Sequence, residues 1–176
     1  MRRGISFFLC IALFLCLNAC SSRQEDIINP VSFYYHQVQP AGQIFHGSAE
    51  SVIAPEIREG HGFSDHLSML LEQYLTGPVE ENLQSPFPAG TTLIEWDADD
   101  DVLSITLSDQ LAELTGVDLT LACACLSKTC FAYDDYSTVS IQAQNLLLDG
   151  KASITMEVNT LLMLDETISG TEPDNP

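Results

Sequence analysis

The chain has 176 residues, 45% of them hydrophobic, and sets 25 acidic against 6 basic residues for a formal net charge of −19. That length holds one domain of ordinary size with a core of its own. So acidic a surface repels nucleic acid and anionic lipid headgroups, which sets both aside as binding partners.

At the N-terminus, Arg2 and Arg3 precede an apolar stretch from Ile5 to Leu17. It is short for a bilayer span and suits the apolar region of a signal peptide. The stretch ends in Leu17-Asn18-Ala19-Cys20, which resembles the lipobox of bacterial lipoproteins. A small residue stands just before the cleavage point and a thiol just after it, where a nucleophile is needed for the diacylglyceryl donor. Cys16 is a poorer candidate because the bulky Leu15 precedes it. The resemblance implies a leader at 1–19 that is removed, lipidation (a palmitate-type anchor) at Cys20, and a place on the extracytoplasmic face of the cell membrane. An uncleaved transmembrane anchor and an ordinary secretory signal are the alternatives. Two acyl chains at ~0.8 kcal/mol per buried methylene hold a protein at a membrane without a spanning helix. With Arg2 and Arg3 gone, four basic residues face 25 acids, a formal charge of −21. Residues 20–29 then read as a polar, flexible tether.

Within the domain, Val31, Phe33 and Tyr35 alternate with polar neighbours and predict a strand over Val31–His36. Residues 37–60 hold Pro40, Gly42, Gly47 and Pro55 and read as loop, with a strand around Ser51–Ala54. A helix is expected from about Asp65 to Thr76, capped by Ser64 and stopped by Gly77-Pro78. Its apolar face is Leu67, Leu70, Leu71, Tyr74 and Leu75. Ser85-Pro86-Phe87-Pro88 and Gly90 make a rigid exit into Leu93-Ile94. Leu93–Trp96 and Val102–Leu107 predict a hairpin around the acidic run Asp97–Asp101, with Leu103, Ile105 and Leu107 buried. Ser108–Leu114 reads as a short helical turn, and a second helix as Val117–Tyr133, striped by Leu119, Ala122, Cys123, Leu126, Cys130 and Tyr133. Thr138–Asn145 is a strand with Val139, Ile141 and Ala143 inward, and Asp149-Gly150 turns the chain into Ala152–Val158. The tail, 166–176, is acidic and expected to be disordered.

These elements predict an α+β domain over 30–165, with two helices packed on one face of a small mixed β-sheet. Several motifs also carry a resemblance: Tyr74-Leu75-Thr76-Gly77-Pro78, Leu83, Ser85-Pro86-Phe87-Pro88-x-Gly90-Thr91-x-Leu93, Leu107-Ser108, the small-residue segment Leu119–Thr129, and Val139-Ser140-Ile141. In that order they resemble the GerMN domain, a module of sporulation and spore-germination proteins, over roughly Pro30–Leu148. The helix-borne cysteines and the long segment after Leu148 depart from the pattern. The resemblance implies a sandwich like the ring-building modules of secretion and sporulation assemblies.

Sites of chemistry are weakly marked. Cys123, Cys125 and Cys130 are thiols of the kind that ligate zinc, but on a helix Cys123 and Cys130 share a face about 10 Å apart while Cys125 points elsewhere. That separation is too great for a disulfide between the first and last, and buried small side chains are the simpler reading. The run Asp97, Asp99, Asp100 and Asp101 lacks the glycine and final glutamate of a calcium loop, since Val102 and Ser108 stand there. His61, Asp65 and His66 do not share a helical face. No catalytic, cofactor-binding or metal residue is assigned, and the chain is read as a non-enzymatic lipoprotein that associates with itself or with envelope and sporulation proteins. Leu146, Leu147 and Leu148 are the candidate surface. The alternative is an extracytoplasmic binding protein for a wall glycan or small germinant, using exposed Trp96 or Tyr34. An enzyme on a wall polymer is a third class, requiring two converging carboxylates.

Overall fold

Alternation of apolar and polar residues makes the first strand. In the computed structural model, which describes residues 29–38, 52–60, 62 and 66–161, it is β1 (Pro30–Gln37), with Val31, Phe33 and Tyr35 buried. The leader, Cys20, the tether up to residue 28, Ser64 and the acidic tail lie outside the described residues. β1 is the middle of a three-stranded antiparallel sheet, between β2 (Ile53–Glu59) and the short β3 (Leu83–Gln84). The expected strand near Ser51–Ala54 therefore continues through Pro55. A proline is tolerated there because β2 is an edge strand, where a missing N–H removes no ladder bond.

A four-stranded sheet holds the rest, in the order β4 (Leu93–Asp99), β5 (Val102–Leu107), β6 (Thr138–Ala143) and β7 (Ile154–Glu157). β5 and β6 are parallel and the outer pairs antiparallel. A parallel pair needs a crossover. It is supplied by a 3-10 turn at Asp109–Glu113 and by a long helix, α2, at Gly116–Tyr133. Leu103, Ile105, Leu107, Val139 and Ile141 from β5 and β6 are buried as the alternation requires. β4 runs on to Asp99, so the turn is only Asp100-Asp101, and Asp97 and Asp99 belong to the strand.

The first helix, α1 (Leu67–Leu75), buries Leu67, Leu70, Leu71 and Tyr74, while Leu75 is only partly covered. Its N-cap is His66, whose side chain makes no capping bond. At the other end Gly77 adopts φ +90, which a side chain would strain, and its N–H closes on the Tyr74 carbonyl at 3.1 Å.

The α+β class holds, with one rearrangement. The strands form two sheets, and α2 packs against β1 of one and against β6 and β7 of the other. A helix covered from two sides buries more than one stripe. Ala124, Cys125, Ser127 and Thr129 are buried beside Leu119, Ala122, Cys123, Leu126 and Cys130. Cys125 thus points inward too, against the expectation from a single apolar face.

Candidate interaction surface

Asp149 and Gly150 take φ values of +48 and +77, the left-handed pair of a tight two-residue hairpin. Leu148 and Lys151 exchange backbone bonds of 2.8 and 2.9 Å across it. The hairpin is tied to its neighbours by two carboxylates. Asp149 accepts the Gly116 N–H at 2.8 Å, and Asp109 accepts the Asn145 backbone N–H at 2.9 Å and its side-chain amide at 3.1 Å. Segment 145–150 is thereby held against the 3-10 turn and the first turn of α2.

This arrangement sorts the three candidate leucines. Leu148 is fully buried and joins the core, whereas Leu146 and Leu147 are 51% and 62% exposed. Val117, next to the pinned Gly116, is 81% exposed and stands at the same end of the molecule. Sequence reading missed Val117, which it placed only as the start of the helix, outside the apolar stripe that begins at Leu119.

The motif that resembles GerMN domains forms a structural junction. Tyr74 stacks on Tyr35 with ring centroids 4.8 Å apart and meets the edge of Phe87 at 6.0 Å. The two tyrosines also exchange bonds with the opposite backbone: Tyr35 donates to the Tyr74 carbonyl and Tyr74 to the Tyr34 carbonyl, both at 2.9 Å. Beside them lies a buried ion pair absent from the sequence reading, Glu56 with Arg58. Glu56 accepts the N–H groups of Val79 and Glu80 at 2.7 and 2.8 Å. Arg58 donates to the Gly77 carbonyl at 2.7 Å and lies 4.9 Å over the Phe33 ring. The pair clamps the chain leaving α1 onto the three-stranded sheet. Burial pulls the Glu56 pKa upward, but the Glu80 N–H, Arg58 and the Val79 N–H outweigh it and hold the carboxyl below its usual value.

The remaining candidates separate. Cys123, Cys125 and Cys130 are buried free thiols, each pushed up to about 12 by desolvation, so none is a ready thiolate nucleophile or ligand. Among the described residues no group of three His, Cys, Asp or Glu is placed to hold a metal ion. His66 is exposed at the start of α1, and His61 and Asp65 lie outside the described residues. Trp96 is exposed on β4, whereas Tyr34 is half-buried on the other sheet under the Lys128 ammonium, 5.5 Å from its ring centre. An open cleft of about 330 Å³ is lined by Glu72, Leu75, Thr76, Thr91, Thr92 and Leu93. Among the described residues no helix is long and apolar enough to cross a membrane.

No family model matches the sequence, and no curated protein does. As a structure the chain is similar to the tandem GerMN domains of the sporulation protein GerM from Bacillus subtilis, with a TM-score of 0.51 and 12% identity. That match covers 77% of this chain and 47% of the other, so the chain spans about half the length of the tandem protein. A candidate lipoprotein from Clostridium perfringens matches with a TM-score of 0.41 and 18% identity, over 74% of this chain and 87% of that one. The protein has a GerMN-like α+β fold.

Proposed function

We propose that the protein is a lipid-anchored, extracytoplasmic lipoprotein whose GerMN-like domain is a non-enzymatic interaction module, working in sporulation, germination or the cell envelope. The observation that carries this is the pinned loop. A flexible apolar pair would fold back on the domain or stay mobile, whereas Leu146 and Leu147 are held outward by a tight hairpin and two carboxylate clasps. Leu17-Asn18-Ala19-Cys20 supports the anchor. The fold shared with a sporulation protein supports the process.

The test is photo-crosslinking in the cells that make the protein, with a photoreactive residue replacing Leu147 in the full chain and, as control, replacing exposed Asp135. A protein adduct at position 147 well above that at 135 is expected. Equal yields at the two positions would remove the assembly reading and favour the ligand-binding alternative.

A further inference from the structure

We infer that the apolar end of the domain docks a basic partner protein: an apolar anchor flanked by lysine or arginine, seated on Val117, Leu146 and Leu147. This rests on the interaction reading above and adds the chemistry of the partner.

Three carboxylates lie beside the residues that carry these apolar side chains. Asp109 is bonded to Asn145, next to Leu146; Asp149 is bonded to Gly116, next to Val117; and Asp118 is exposed one residue further on. Lys151, across the hairpin, is the base beside them. An apolar centre with an acidic rim is complemented by an apolar anchor with a basic rim, since like charges across an interface cost several kcal/mol.

A second copy cannot offer that complement. In a two-fold pair the same patch meets itself, so the acidic rim of Asp109, Asp118 and Asp149 meets an identical acidic rim. A head-to-tail contact needs a basic patch elsewhere on the domain, and the chain has few bases to make one. Of its 6, Arg2 and Arg3 lie in the leader and Arg23 in the tether. Arg58 is spent on Glu56, and Lys128 lies over Tyr34. An anionic membrane is repelled by the same carboxylates that repel a second copy. Three exposed side chains make a small apolar centre, so binding at a single site is expected to be transient.

The experiment extends the crosslinking at position 147 in the full-length protein: the captured peptide is sequenced by mass spectrometry, and the yield is followed in isolated membranes as salt rises. The expected peptide comes from a different protein, with lysine and arginine outnumbering its acids around the crosslink. Yield is expected to fall as salt rises from about 0.05 to 0.5 M, because screening removes the attraction. Asp118→Lys is expected to cut yield roughly tenfold, equivalent to about 1.4 kcal/mol, and Asp118→Asn less; a thermal melt checks that both variants fold. A peptide from a second copy, a neutral or acidic partner peptide, or a yield that rises with salt each overturns the inference and leaves the interaction reading standing, whereas a lipid adduct in place of a protein one removes both. No adduct at 147 removes both.

Discussion

Glu56 shows how one side chain can be structural while having the composition of a site. The residue is 2% exposed, and its carboxylate accepts two backbone N–H groups and faces Arg58, which fixes the exit from α1. Glu56→Gln keeps the shape, removes the charge and leaves Arg58 buried without its counter-ion. Loss of one partner of such a pair costs about 3–5 kcal/mol. Because the folded pKa of Glu56 is lowered, its contribution is present above the unfolded value of about 4.3 and is lost as pH falls through the folded value. Urea melts of wild type and Glu56→Gln should therefore differ by a constant amount above pH 5 and converge as the solution becomes more acidic. A gap that widens below pH 4 would show that the carboxylate is not stabilised as described. At Cys20 the expected outcome is chemical: Cys20→Ala should leave unprocessed precursor with no lipid label, checked by intact mass. A mature N-terminus at any other residue would falsify the anchor assignment.

At the scale of elements, α1 depends on a narrow apolar face. Leu71 is 1% exposed between Leu70 and the exposed Glu72. Leu71→Ala should cost about 2–5 kcal/mol and Glu72→Ala little, read as denaturation midpoints. Equal midpoints would show the face misassigned. The hairpin at Asp149-Gly150 is the other informative element. Asp149→Ala removes the bond to Gly116 and the side-chain cap it gives to α2, for a loss of about 0.5–2 kcal/mol. The same substitution should raise amide hydrogen exchange at Gly116 and Leu148. Unchanged exchange would mean that the loop holds its shape without the clasp.

For the whole molecule, the balance of charge sets the response to salt. With 25 acids and 6 bases in the chain, folding concentrates negative charge, and screening relieves that repulsion. The melting temperature should rise between low salt and about 0.5 M NaCl, where a gain of 1 kcal/mol corresponds to roughly 4 °C. A melting temperature that falls with salt would show that attractive ion pairs outweigh the repulsion. Against that background a basic partner gains affinity from the same charge that a second copy must overcome.

The sequence alone determined what local pattern can encode. Val31, Phe33 and Tyr35 declared β1 by alternation; Leu67, Leu70, Leu71 and Tyr74 declared α1 by helical period; Leu103, Ile105 and Leu107 declared β5. All are buried where expected. Gly77-Pro78 and Asp149-Gly150 marked the stop and the turn, because left-handed backbone angles need such residues. Tertiary structure decided what depends on distant partners. Pro55 hid the length of β2, since a residue's place at a sheet edge is not a local property. Cys125 is buried because a second sheet covers the helix face expected to be free. Glu56 and Arg58, two apart on one face of β2, became a clamp only when the fold brought Val79, Glu80 and Gly77 beside them. Val117 came to the same end of the molecule as Leu146 and Leu147 only through a bond across 33 residues, from Gly116 to Asp149. Periodicity reports which face of an element is apolar; what covers that face, and what is left uncovered, is set by packing between segments far apart in the chain.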